Sequence, residues 1–145
     1  MTTVREMLRK KGSAVYSISP DATVYEALGM MAHHNTGALM VGKEGNVEGI
    51  LTERDIVRKV DLAGKSSKET QVSEIMTGKV MYVEASQPLE DCMALMIDKG
   101  IRHLPVFDGS EIMGLISIRD VVKEVVDDQQ VIIKQLEHYI TGGGR

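Results

Sequence analysis

Gly49-Ile50-Leu51-Thr52-Glu53-Arg54-Asp55 recurs 65 residues later as Gly114-Leu115-Ile116-Ser117-Ile118-Arg119-Asp120. Each copy reads glycine, two apolar residues, a hydroxyl, one variable residue, then Arg-Asp. The match extends well beyond the motif. At the same offset Val15–Val60 falls on Val80–Val125 without a gap, with identities at Val15/Val80, Met31/Met96, Leu39/Leu104, Val41/Val106, Val57/Val122 and Val60/Val125. Most other aligned pairs keep their character, such as Ile18/Val83, Ile50/Leu115 and Thr52/Ser117. A repeat of this length is two copies of one supersecondary unit, each needing a neighbour to bury its apolar face.

The patterning gives the unit its elements. Val4–Lys11 reads as a short helix, with Val4, Met7 and Leu8 on one face. Ala14–Ile18 reads as a strand. Thr23 followed by Glu26 is a capping pattern that opens a helix over Val24–His34, broken by Asn35-Thr36-Gly37. Ala38–Val41 and Val47–Leu51 read as a hairpin turning at Gly42–Asn46, and Glu53–Val60 as a helix. The second copy repeats the order: strand Val80–Val83, helix Leu89–Lys99, strand Leu104–Val106, turn Asp108–Glu111, strand Ile112–Ile116, helix Arg119–Val126. The unit is β-α-β-β-α, twice. Val72–Met76 echoes Val4–Leu8 at an offset of 68, so the copies differ by an indel just before the first strand. Three regions are expected: 1–65 as the first repeat with an N-terminal helix, 72–126 as the second, and 127–145 as an added helix with a disordered Gly-rich tail.

Composition narrows the function. The 145 residues are 43% hydrophobic but only 3% aromatic, with ten Met filling the gaps. A formal charge of −4 argues against nucleic acid as the partner. No run approaches the ~18 apolar residues of a membrane span, and the N-terminus lacks the apolar stretch of a secretory signal. Cys92 is the single cysteine and sits in an apolar helical stretch, which predicts a buried structural thiol and a reducing, cytoplasmic setting. No Ser-His-Asp or Cys-His set is visible, so no catalytic residue and no enzyme activity is expected. His33-His34 lacks a partner at spacing three or four, so no metal site is expected either.

The chemistry sits in the repeated motif. Thr52 and Ser117 end a strand and open a helix, where outward-pointing N–H groups favour an anion. Asp55 and Asp120 fall in the first helical turn, where a carboxylate can accept two hydrogen bonds from a vicinal diol. Phosphate plus diol suggests a ribonucleotide. The same pair also forms a helix cap worth about 1 kcal/mol. Two copies in register favour the binding reading.

A β-α-β-β-α repeat carrying Gly-x-x-[Thr/Ser]-x-x-Asp resembles a tandem pair of cystathionine β-synthase (CBS) domains, a Bateman module, over about Ala14–Val126. The whole chain looks most like the small stand-alone bacterial CBS-pair proteins. The resemblance implies an α/β fold of two CBS repeats packed sheet to sheet with pseudo-two-fold symmetry, plus a C-terminal helix. It implies clefts that bind adenosyl compounds such as AMP, ATP or NAD, with no cofactor required. In relatives the motif Asp contacts the ribose, the hydroxyl contacts phosphate, and apolar strand residues cover adenine.

Carried over, this gives a main site of Tyr16, Thr36, Gly37, Ala38, Arg102, His103, Leu115, Ser117, Arg119 and Asp120. The second site is Ile50, Thr52, Arg54, Asp55, Met81 and Ile101. Basic residues before the hairpin contact phosphate in relatives. Only the second copy has them, at Arg102 and His103, so the Asp120 site is expected to bind the phosphorylated ligand more tightly, with His103 contributing charge below about pH 6.5. Arg54 and Arg119 point about 100° away from their aspartates, and phosphate contact, an ion pair and solvation are all open to them.

The resemblance also implies a homodimer formed through helices, with Val57, Val60, Val122 and Val125 on the exposed apolar faces. The expected role is a regulatory sensor that changes affinity for a regulated protein on binding nucleotide. The alternative is a dimeric interaction scaffold without a physiological ligand.

Overall fold

The computed structural model describes residues 2–12, 14–43 and 45–141. The expected tail from residue 142 onward lies outside the described residues. The chain forms two compact units. One is Ala14–Met81; the other joins the N-terminal segment to the chain from Tyr82 onward.

The first unit holds β1 (Ser17–Ile18), α2 (Val24–His34), β2 (Ala38–Lys43), β3 (Asn46–Thr52), α3 (Glu53–Ile56), a π-helical turn over Val57–Asp61, and α4 (Val72–Ile75). The second holds α1 (Val4–Lys11), β4 (Val83–Glu84), α5 (Leu89–Lys99), β5 (His103–Asp108), β6 (Glu111–Ser117) and α6 (Ile118–Ile140). Each unit has a three-stranded sheet in chain order, with the first strand parallel to the second and the hairpin antiparallel. The hairpins share a bulge at the same repeat position, between Val41 and Gly42 and between Val106 and Phe107. The equivalent helices α2 and α5 also stop alike. Asn35 (φ 51°) and Gly100 (φ 64°) both take the left-handed conformation that closes a helix, which short polar or absent side chains tolerate best.

The two short helices are exchanged between repeats. Val4, Met7 and Leu8 of α1 are buried with Val83, Leu89, Cys92, Leu104 and Ile116 of the second repeat. Val72 and Ile75 of α4 are buried with Ile18, Val24, Leu39 and Leu51 of the first. The backbone bonds match position for position. Val4 N and Arg5 N donate to Gln87 O and Ala85 O, and Leu89 N to Thr2 O; Val72 N and Ser73 N donate to Ala22 O and Pro20 O, and Val24 N to Thr70 O. The N-terminal helix, expected with the first repeat, therefore packs on the second. Its apolar face finds its sheet far along the chain, which periodicity cannot reveal.

Three further expectations change. The helix after the second hairpin and the added C-terminal helix are one element, α6, because nothing interrupts Ile118–Ile140. The first strand of each unit is shorter than its apolar run, two residues in both cases. Val60 is buried in the core of the first unit and Val125 packs against that of the second, while Val57 and Val122 are exposed. The apolar face at the repeat ends is thus narrower than the sequence suggested. Cys92 is fully buried, and burial, with Asp91 and Glu90 adding to it, pushes its thiol up to about 11.

Candidate functional site

Both motifs fold into the same strand-to-helix corner. Thr52 ends β3 and caps α3; Ser117 ends β6 and caps α6. In the first corner Asp55 N donates to Thr52 Oγ1 (3.2 Å), and Asp55 Oδ2 accepts from Thr52 N (3.0 Å) and from the Thr52 hydroxyl (3.1 Å). In the second, Asp120 N donates to Ser117 Oγ (3.1 Å) and Asp120 Oδ2 accepts from Ser117 N (3.0 Å). The reciprocal cap expected from the sequence is present in both. It locks each carboxylate in place, which is what a residue needs if it is also to read a ligand.

A backbone bond brings the segment before each hairpin to the corner. Glu53 N donates to Gly37 O (3.0 Å) and Ile118 N to Arg102 O (2.8 Å). Across the hairpins Ala38 pairs with Thr52, and His103 with Ser117. Within the first unit this gathers Thr36, Gly37 and Ala38 at the corner of Ile50, Thr52, Arg54 and Asp55. A cleft of about 350 Å³ lies there, lined by Leu28, Met31, Ala32, Asn35, Thr36, Gly37 and Glu53. Tyr16 is held in the same unit, its carbonyl accepting from Met40 N and its ring stacked on His34 at 3.7 Å; Met81 also belongs to this unit. Within the second unit, Ile101, Arg102 and His103 stand at the corner of Leu115, Ser117, Arg119 and Asp120. Each corner thus collects the equivalent residues of its own repeat.

Two lysines at these corners escaped the sequence reading. Lys11 Nζ lies 3.2 Å from Asp120 Oδ2 and donates to Leu115 O at 3.1 Å. Lys59 Nζ lies 3.2 Å from Asp55 Oδ1 and donates to Ile75 O at 3.0 Å. Lys59 was findable, four residues after Asp55 on a helix. Lys11 was not, because it arrives on the exchanged α1. Asp55 has both oxygens engaged and a side chain 15% exposed, against 28% for Asp120.

Burial alone would raise the Asp120 carboxyl. The Ser117 N–H and hydroxyl and the Lys11 ammonium outweigh it and hold the group below its usual range. A carboxylate depressed on folding stabilises the fold above its unfolded value of ~3.9, and that contribution disappears as pH falls through the lower folded value. Lys11→Met is therefore expected to cost about 0.5 kcal/mol at neutral pH. The gap to the parent should close in acid, where Asp120 is protonated in both; urea unfolding across the acid range measures it. A difference independent of pH would place the role of Lys11 in packing alone.

The CBS domain family matches residues 4–62 and 72–127. The chain belongs to the CBS-domain family. It is 39% identical over 151 residues to the mitochondrial CBS domain-containing protein CBSX3 of Arabidopsis thaliana, covering 98% of this chain and 73% of that protein. A solved structure of a protein with CBS domains from Burkholderia ambifaria superposes with a TM-score of 0.84 at 49% identity, covering 88% of this chain and 96% of the other. A CBS domain pair crystallised with 5′-methylthioadenosine and S-adenosyl-L-methionine shares the fold, with a TM-score of 0.76 at 22% identity and coverage of 88% and 98%. The first family match begins at residue 4, so the CBS unit as written in sequence includes α1, whereas the CBS unit as folded receives that helix from the other repeat. No helix among the described residues is long and apolar enough to cross a membrane.

Proposed function

We propose that this CBS pair is a regulatory module that binds an adenosyl nucleotide of the AMP, ATP or NAD kind and passes the occupancy to a protein partner. The observation that carries it is the second corner. There one capped helix start holds a fixed carboxylate at Asp120, a hydroxyl at Ser117, the cations of Arg102 and Lys11, and the imidazole of His103 within one unit. Carboxylate and cations together suit a ligand that offers a diol and a phosphate. Gly37 and Ala38 fill the equivalent places in the first corner, so the phosphorylated ligand belongs at Asp120. Binding, partner and function are coupled by linkage: whatever factor the nucleotide applies to partner affinity, the partner applies to nucleotide affinity.

Thermal unfolding with AMP, ADP, ATP, NAD and S-adenosylmethionine tests the reading. A ligand at 100 times its dissociation constant adds about 2.7 kcal/mol, or roughly 5–10 °C for a chain of this size. The shift is expected to vanish in Asp120→Ala and persist in Asp55→Ala. The engagement of both Asp55 oxygens favours a second reading for the first corner, a purely structural cap. If no ligand shifts the midpoint at millimolar concentration, that reading extends to both corners and the module is a scaffold.

A further inference from the structure

The two corners differ in where their cations come from. In the first, Lys59 stands four residues after Asp55 on the same helical run and reaches Asp55 Oδ1 at 3.2 Å. The residue at that place in the second repeat is Glu124, which is acidic and buried. The start of α6 therefore carries two carboxylates, Asp120 and Glu124, one turn apart on one face. Both are neutralised from α1. Lys10 Nζ lies 2.8 Å from Glu124 Oε1, and Lys11 Nζ lies 3.2 Å from Asp120 Oδ2.

The reach of α1 comes from its length. At the offset of 68, Ile75, the last residue of α4, corresponds to Met7, but α1 runs on to Lys11, about one further turn. That turn stands where the first unit has a backbone bridge. There Thr77 closes the edge of β3 by exchanging backbone bonds with Ile50 at 2.9 and 3.0 Å. The matching residue, Arg9, is inside α1, and among the described residues no bridge closes β6 at Leu115. The Lys11 ammonium takes its place, donating to Leu115 O at 3.1 Å. What is a backbone closure in one corner is a side chain in the other, and that side chain is 33% exposed, with room to turn.

We propose that Lys11 selects the class of ligand at the Asp120 corner, admitting phosphorylated adenosyl compounds and holding back those without a phosphate. The inference rests on the reading that Asp120 receives a ribose diol. The diol must take over a carboxylate that Lys11 already holds. An uncharged nucleoside leaves the displaced ammonium without an anion, so the broken ion pair counts against binding. A nucleotide presents a phosphate to the same ammonium, and a charge-assisted hydrogen bond replaces the pair that was lost. Lys11 thus opposes one ligand class and supports the other. It is a specificity residue that enters the site on the exchanged helix, outside the repeated motif.

Isothermal titration calorimetry of the full chain with AMP and ATP, and with 5′-methylthioadenosine as the counterpart without phosphate, tests this. The parent is expected to prefer a nucleotide. Lys11→Met is expected to weaken the better-bound nucleotide about tenfold and to tighten methylthioadenosine about twofold, so the preference falls roughly twentyfold. Lys11→Arg keeps the charge and with it the preference. Lys10→Met removes an equal charge one residue away, from Glu124 and not from Asp120, and leaves the preference as in the parent. Circular dichroism confirms the fold of each variant. A Lys11→Met protein that loses both ligand classes by the same factor would show a purely structural lysine and overturn the proposal. So would a parent that prefers methylthioadenosine, or a Lys10→Met protein whose preference shifts as far as that of Lys11→Met. A parent that binds none of the three compounds overturns the Asp120 reading itself, and the selector with it.

Discussion

Removing residues 1–12 is expected to unfold the unit built on the second repeat while β1–β3 of the first stay folded. Val4, Met7 and Leu8 are 0%, 2% and 4% exposed, and their neighbours are Leu89, Cys92, Leu104 and Ile116. Burial of side chains of this size contributes about 1.5–3 kcal/mol each, so the deletion removes roughly 5–8 kcal/mol. The whole stability of a typical domain is about 5–15 kcal/mol. The deletion also strips Ala85 O and Gln87 O of their donors, Glu124 of its partner Lys10, and Asp120 of Lys11. Residue-resolved hydrogen exchange is the measurement. Protection should collapse in β4–β6 and α5 and survive in β1–β3 and α2. Loss centred on β1–β3 would mean that α1 supports the repeat it precedes in the chain.

This outcome marks where the sequence stops being legible. The repeat, the order of its elements, the hairpins and the two capped corners follow from local patterns: apolar alternation, Asn and Gly at helix ends, a hydroxyl three residues before Asp. Each is decided within a few residues. The exchange of α1 and α4 is not local. The amphipathic face of Val4, Met7 and Leu8 announces burial but not against which sheet, and the two sheets have much the same apolar pattern. The shift of offset from 65 to 68 at these helices marks a boundary, and the boundary is real: each short helix belongs in space to the other repeat. Lys11 was missed for the same reason, while Lys59 lay within one helical turn of its aspartate. Val60 and Val125 were placed outward because helical periodicity alone cannot separate a face on the core from a face on a partner.

Gly49→Ala is expected to cost about 3–5 kcal/mol and Gly114→Ala about 1 kcal/mol, although the two glycines hold the same place in the motif. A Cβ on Gly49 would sit 2.7 Å from Thr77 O and 2.8 Å from Met76 Sδ. Thr77 is fixed by two backbone bonds to Ile50, one in each direction, at 2.9 and 3.0 Å. It can recede only by breaking them, and the methyl group therefore both overpacks the site and parts the bridge. A Cβ on Gly114 would meet Leu8 Cδ2 at 2.9 Å, the end of a side chain that can change rotamer. Met76 and Leu8 are equivalent residues of the two exchanged helices, so the motif glycine is where each incoming segment crosses the sheet. At Gly49 that crossing alone is enough to demand glycine. Urea denaturation of the two variants separates the possibilities. Equal costs at both positions would show that the strand itself demands glycine; a large cost at Gly49 alone ties the demand to the Thr77 backbone.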